Sequence, residues 1–175
     1  MHMHQLLLIA WVFCWSMTAN AYSILLEGNQ PVKWGDTFPT IELNVNGSAD
    51  VADGADLAEI RAGMQDWNSI SCSTLLLQDG GLIVESSTVL VSNQVDNHNR
   101  ITWIEDDSWS FGQYVVALTM PVWDQTNGFI VEVDTVVNGF HFYWSTDATV
   151  GTEDVKSMIT HELGHFIGLQ HVLGG

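Results

Sequence analysis

The chain has 175 residues, 46% of them hydrophobic, and its 21 Asp and Glu against four Lys and Arg give a formal net charge of −17. This length and hydrophobic content exclude a disordered chain and predict one domain with a substantial core. Because so acidic a surface repels phosphate groups, nucleic acid is excluded as a partner. The acidity suits calcium, which prefers carboxylate and carbonyl oxygens, but acidity for solubility explains it equally well.

The first 21 residues predict a secretory signal peptide. Residues 6–13 form an apolar run that is too short to span a bilayer, and Ala19-Asn20-Ala21 suits cleavage after Ala21. The first five residues contain no Lys or Arg, which leaves an uncleaved anchor as the alternative. We expect a secreted, extracellular and monomeric protein of residues 22–175, without membrane contact once the signal peptide is removed.

The first half of this region predicts a strand, a long helix and a second strand. Residues 22–40 contain Pro and Gly at several positions and are predicted as loop. Residues 41–45 alternate between apolar and polar, which predicts a half-buried strand. In residues 55–70, apolar side chains recur every three or four positions and predict a helix with one apolar face. Residues 75–77 predict a short buried strand, ended by the following Asp-Gly-Gly.

The second half predicts three further strands and a closing helix. Residues 82–99 are polar and predict a loop with room for one short strand. Strands are predicted at residues 101–104, 115–120 and 129–134. Pro121 is expected to stop the second of these, and residues 124–128 predict a turn. The last helix is expected to begin at a Thr152 cap and to run to about Leu169.

The order of these elements predicts an α/β (α+β) domain without internal repeats or linkers. Strand, helix, four strands and helix predict two long helices against one mixed, twisted, five-stranded sheet. The closing helix is expected to lie at the back of that sheet.

The last fifteen residues contain the pattern H-E-x-x-H-x-x-G-x-x-H. On a helix, His161 and His165 stand one turn apart on the same face, so both imidazoles can reach one metal ion. Gly168 permits a left-handed conformation that ends the helix, after which His171 can approach the same metal. Three neutral nitrogens with an open fourth position are typical of a catalytic zinc site. Glu162 suits a general base for the water that such a zinc activates.

With these residues the sequence resembles the metzincin clan of zinc endopeptidases, and it is most similar to secreted, matrixin-like bacterial members. Looser similarities cover much of residues 22–175, for example Asn99-Arg100-Ile101-Thr102-Trp103. The resemblance implies a metzincin-like zincin domain with the active-site helix at its C-terminal end. It implies zinc on His161, His165 and His171, with Glu162 as the catalytic base. It also implies a protein or peptide substrate bound as an extra strand along an edge strand, which we expect at residues 115–120.

One departure from the family concerns the Met-containing turn that metzincins carry downstream of the third His. The methionines that follow the predicted cleavage site, Met64, Met120 and Met158, all precede the zinc motif. We therefore expect the sequence to be truncated before the Met-turn. The alternative to an active peptidase is a zinc-binding, non-catalytic pseudoprotease or an inactive fragment.

Other possible metal-binding residues form no comparable pattern. Glu132 and Asp134 lie on one face of a predicted strand and suit calcium, although a solvated strand face explains them better. Asp96, His98 and His141 do not reproduce the spacing of a second zinc site, and we interpret them as solvated loop residues.

Cys72 is the one cysteine beyond the predicted cleavage site, which excludes an intramolecular disulfide in residues 22–175. Its possible interpretations are a buried apolar residue, half of a missing pair, or a thiolate that keeps the zinc site latent.

Overall fold

The computed structural model describes residues 22–35, 38–84 and 95–172. The predicted signal peptide therefore lies outside the described residues. Within them the chain forms two helices, α1 (Ala55–Asn68) and α2 (Val155–Phe166), and eleven strands. The strands are β1 (Tyr22–Ile24), β2 (Leu26–Glu27), β3 (Gln30–Pro31), β4 (Thr40–Asn44), β5 (Gln78–Ile83), β6 (Arg100–Ile104), β7 (Ala117–Trp123), β8 (Ile130–Asn138), β9 (Trp144–Ser145), β10 (Glu153–Asp154) and β11 (Leu169–His171). No helix among these residues is long and apolar enough to cross a bilayer.

The principal sheet has five strands in the order β5-β4-β6-β8-β7. The first four strands run parallel, and β7 runs antiparallel to β8. The prediction of an α/β domain with two helices and a mixed five-stranded sheet is confirmed. Since β7 pairs with β8 alone within the described residues, it forms an edge of the sheet.

Both helices contribute to one hydrophobic core with one face of this sheet. The alternation of side chains along a strand places apolar residues of β4, β6 and β8 on that face. They pack with apolar residues of both helices, and the buried members from the sheet and helices include Ile41, Leu43, Ile101, Trp103, Val133, Val137, Ile60, Met64, Ile159, Leu163 and Phe166. Gly63 on α1 lies against Ile159 and Thr160 on α2, which lets the two helix backbones approach closely. This core fixes α2, and with it the histidine motif, against the sheet.

The prediction of a strand at residues 75–77 is wrong. The strand begins at Gln78, directly after the predicted strand was to end, and includes the glycines that were expected to end it. The side chain of Asn68 bonds both the N–H and the C=O of Leu77, which satisfies that backbone without a sheet partner. Gly80 and Gly81 stand opposite the single residue Glu42, so the glycines form a bulge rather than a turn.

The prediction that Pro121 stops its strand is also wrong, because β7 continues through Pro121 to Trp123. Pro121 lies opposite Val133 of β8. A proline lacks the N–H that a central strand needs, but an edge strand offers one side without a partner.

The closing helix is shorter than expected, because α2 spans Val155–Phe166. Asp154, rather than Thr152, caps its N-terminus by accepting the N–H of Ser157 at 2.8 Å. The hydroxyl of Thr152 instead donates to the carbonyl of Thr149. Beyond the helix, Gly168 adopts a positive φ of 95°, which turns the chain into β11.

The predicted loop at residues 22–40 contains three short strands. The first of them, β1, pairs antiparallel with β11 and brings Tyr22 opposite His171. The strands β2 and β3 form a small hairpin. The N-terminal end of the described chain therefore lies beside the histidine motif.

Candidate metal centre

The three histidines of the motif converge on one point. His161 and His165 lie one turn apart on α2, and His171 lies on β11 after the turn at Gly168. The Nε2 atom of His161 is 2.7 Å from that of His171 and 3.2 Å from that of His165. The Nε2 atoms of His165 and His171 are 3.1 Å apart. The structure thus brings together all three residues that the sequence predicted as ligands, and they lie close enough to bind a metal ion.

This nitrogen triangle fits the size of a transition-metal ion. The circle through the three Nε2 atoms has a radius of about 1.7 Å, which is shorter than the about 2.0–2.1 Å bonds that imidazole nitrogens make to zinc. A point at bonding distance from all three atoms therefore exists to one side of the triangle. Three protein nitrogens leave the fourth position of a tetrahedral site for a further ligand, and such a set is typical of catalytic rather than structural sites.

Hydrogen bonds at the opposite ring nitrogens orient two of the imidazoles. The Nδ1 of His165 donates to the carbonyl oxygen of Leu169 at 2.8 Å, which leaves a lone pair on its Nε2. The Nδ1 of His161 lies 2.8 Å from the hydroxyl of Tyr22. Burial lowers the pKa of His161, and the other two imidazoles lower it further against the opposing charge of Glu162. Neutral imidazoles are the form that binds a metal.

Glu162 is buried beside this centre, with 7% of its surface exposed. Its Oε2 accepts a hydrogen bond of 2.6 Å from the hydroxyl of Thr119 on β7. That hydroxyl lies 2.9 Å from the hydroxyl of Thr135 on β8, so a chain of two threonines fixes the carboxylate.

Two clefts open at the centre on either side of His171. One has a volume of about 470 Å³ and is lined by Glu162, His165 and His171 together with residues of β7 up to Trp123. The other, of about 620 Å³, is lined by Glu162, His161 and His171. Val115 and Ala117 line both clefts. The edge strand therefore runs along the wall of both clefts, next to the nitrogen triangle.

Comparison with protein-family models and with curated proteins found no match for this chain.

Sequence analysis missed Tyr22, as it missed the two threonines, Thr119 and Thr135, beside Glu162. Tyr22 belongs to no motif and no periodic pattern, and its position directly after the predicted cleavage site was its one distinguishing feature. Burial, and then the charge of Glu162, raise the pKa of Tyr22 above its ordinary value. The phenol therefore keeps its proton in the neutral range.

The expected solvated strand face at Glu132 and Asp134 is wrong for Glu132, which is 3% exposed. Its Oε2 accepts the backbone N–H groups of Asp96 and Asn97 at 2.7 and 2.6 Å. Asp134 accepts the backbone N–H of Arg100 at 3.0 Å. These carboxylates close a loop onto the sheet. Among the described residues, the three motif histidines are the group of three or more His, Cys, Asp or Glu side chains that lies close enough together to hold a metal ion. The expectation of a calcium site gains no support from it.

Asp134 gives a prediction for the pH dependence of stability. Burial, and then the nearby charges of Glu132 and Asp96 against that of Arg100, raise its pKa to about 6. Between about pH 4 and pH 6, Asp134 keeps its proton in the folded state, whereas in the unfolded state it releases the proton near pH ~3.9. The contribution of Asp134 to the free energy of unfolding therefore falls as the pH rises through this range. Asp134→Asn keeps the oxygen that accepts from Arg100. It should raise the free energy of unfolding by roughly 1–3 kcal/mol at pH 8 and far less at pH 4.

Urea unfolding of both proteins at the two pH values measures this difference. Asp106→Asn is the matched control, because hydrogen bonds from Ser108 lower the pKa of Asp106 and reverse the expected sign. A gain from Asp134→Asn that is equal at both pH values would contradict the assignment.

The remaining predicted positions stay apart from the centre. Asp96 forms an ion pair with Arg100, and His98 lies 2.8 Å from Glu42. The Nδ1 of His141 lies 3.3 Å from the side-chain oxygen of Asn138. Cys72 is exposed, so its interpretation as a buried apolar residue is wrong.

Proposed function

We propose that this protein is a secreted zinc-dependent endopeptidase with a metzincin-like catalytic domain. The observation that carries the proposal is the convergence of three Nε2 atoms within 3.2 Å of one another beside a buried, fixed carboxylate. Both features face clefts that border an edge strand. A metal site with three protein ligands, a nearby base and room for a chain is what peptide hydrolysis needs.

The donor set favours zinc among the common metals. Three imidazole nitrogens suit zinc, copper, iron and nickel, whereas calcium and magnesium require oxygen ligands. Zinc has no redox chemistry and is typical of hydrolytic sites with three protein ligands. When bound, it supplies Lewis-acid polarisation of the peptide carbonyl and lowers the pKa of a water molecule toward about 7.

Glu162 performs the proton transfers in this proposal. Its carboxylate accepts a proton from the attacking water and delivers that proton to the amine that leaves. The hydrogen bond from Thr119 occupies Oε2, which directs Oε1 to the proton transfer. The two threonines thereby limit the rotation of the carboxylate and keep it ready to react.

The edge strand β7 supports an extended peptide as the substrate. Residues 115–118 line the clefts, and an edge strand offers N–H and C=O groups along the side without a partner. A peptide in extended conformation can pair with these groups as an added strand. Its scissile bond would then pass between the two clefts, opposite His171. In this arrangement, the backbone N–H and C=O groups of the edge strand, rather than one side chain, position the substrate.

Removal and restoration of the metal test the proposal. The full chain should bind one equivalent of zinc and cleave an unfolded protein such as reduced, alkylated casein. A strong chelator should abolish cleavage, and zinc should restore it, with calcium and magnesium as ineffective controls. Zinc at about 100 times its Kd should raise the free energy of unfolding by about 2.7 kcal/mol. Stoichiometric zinc binding without cleavage would favour the non-catalytic alternative, and a failure to bind zinc would overturn both.

A further inference from the structure

The N-terminal strap, residues 22–25, lies beside all three histidines of the motif. The hydroxyl of Tyr22 lies 2.8 Å from Nδ1 of His161. Its ring centroid lies 5.4 Å from that of His161 and 6.4 Å from that of His165, the latter edge-on. The ring also packs on Gly164, where an added Cβ would come within 3.3 Å of it. Tyr22 therefore touches α2 at the turn that joins its two ligands.

The same strap holds the third ligand through the backbone. Tyr22 lies opposite His171 in the β1–β11 ladder, and the hydroxyl of Ser23 donates to the His171 carbonyl at 3.2 Å. At the other end, the N–H of Leu25 donates to the carbonyl of Gly168 at 2.8 Å. The strap thus binds both ends of the turn that carries His171. In the described residues, β1 is the strand with which β11 pairs.

We infer that the strap is a working part of the metal centre and that Tyr22 is a positioning residue for His161. The inference rests on the metal site of the proposed function. When Nε2 of His161 binds a metal, Nδ1 carries the ring proton and donates to the Tyr22 oxygen, which fixes the ring in the binding orientation. Binding of the metal and docking of the strap then stabilise each other, because each needs the same arrangement of His161 and His171.

A consequence concerns the processing of the N-terminus. Cleavage after Ala21 would keep the whole strap, whereas an aminopeptidase that removes residues 22–25 would leave all three histidines in the chain but free the turn that holds His171. On this inference, the position of the N-terminal cut would set the metal affinity of the centre.

The test compares zinc affinity and cobalt spectra of the full-length chain and its variants. Tyr22→Phe removes one oxygen and keeps the ring, so the protein should fold with nearly unchanged thermal stability in the absence of metal. Its Kd for zinc, measured by chelator competition, should rise about 10–100-fold. The visible absorption of the cobalt-substituted protein should shift, because the imidazole orientation changes. Tyr143→Phe is the matched control, since Tyr143 is 72% exposed, and its Kd should stay within twofold of the parent.

The outcomes separate this inference from the proposed function. An unchanged zinc Kd and cobalt spectrum in Tyr22→Phe would overturn the positioning role, whether or not the parent protein cleaves peptides. An equal loss of affinity in Tyr143→Phe would overturn it as well. A parent protein that binds zinc but cleaves nothing would end the peptidase proposal, and the tenfold or larger change in Kd would still support the strap.

Discussion

Replacing Glu162 by Gln should lower kcat/KM for an unfolded protein substrate by a factor of about 10²–10⁴ while zinc stays bound. The amide has the shape of the carboxylate, and its oxygen can still accept the hydrogen bond of 2.6 Å from Thr119. What it cannot do is accept a proton from water. Because Glu162 is only 7% exposed, a base from the bulk solvent could hardly take its place. The loss should fall on kcat more than on KM, since the proton moves in the transition state.

Zinc content and turnover number must both be measured on the same samples of each variant. Glu59→Gln on α1 is the matched control, because it makes the same change of charge at a partly exposed position away from the clefts. Its kcat/KM should equal that of the parent. Undiminished cleavage by Glu162→Gln would show that another group is the base. Loss of zinc together with activity would show that Glu162 holds the ligands in place rather than moving a proton.

The convergence of the three histidines could be predicted from sequence because their arrangement is local. A spacing of four on a helix places His161 and His165 one above the other whatever the rest of the chain does. Gly168 then marks where the helix ends, and the position of His171 follows within three residues. The mixed sheet was predictable for a similar reason, since strand periodicity and the order of elements restrict the topology.

The surroundings of the ligands depend on contacts between distant parts of the chain. Tyr22 and His161 are 139 positions apart, and no local pattern connects them. Alternation along the strand turns Glu132 away from the core face that Val133 occupies, so Glu132 looked like an exposed residue. A loop 35 to 36 residues earlier nevertheless covers it with two N–H groups. Pro121 and the Gly80-Gly81 bulge were misjudged because their effect depends on whether the strand lies at an edge. Sequence therefore indicated the three histidines, whereas the structure supplied the groups that orient them.

Gly168→Ala should both destabilise the fold and weaken zinc binding, the second by more than tenfold. Its φ of 95° lies outside the range that an alanine adopts without strain, which by itself costs about 1–3 kcal/mol. An added Cβ would also overlap the carbonyl oxygen of Val32, a backbone atom that cannot rotate away. To relieve this overlap the turn must shift, and His171 follows three residues later. A displacement of about 1 Å is large compared with the about ±0.2 Å tolerance of a metal–ligand bond.

Gly151→Ala separates the two causes. Gly151 has nearly the same φ, 92°, but an added Cβ there would meet nothing within 4 Å. Urea unfolding without metal should therefore show a smaller loss of stability for Gly151→Ala, and its zinc Kd should equal that of the parent. If the two variants lost equal stability and both bound zinc normally, the close approach of Gly168 to Val32 would not fix His171. The strap would then hold the third ligand without help from the turn, because its bonds to Gly168 and His171 would be the remaining restraint.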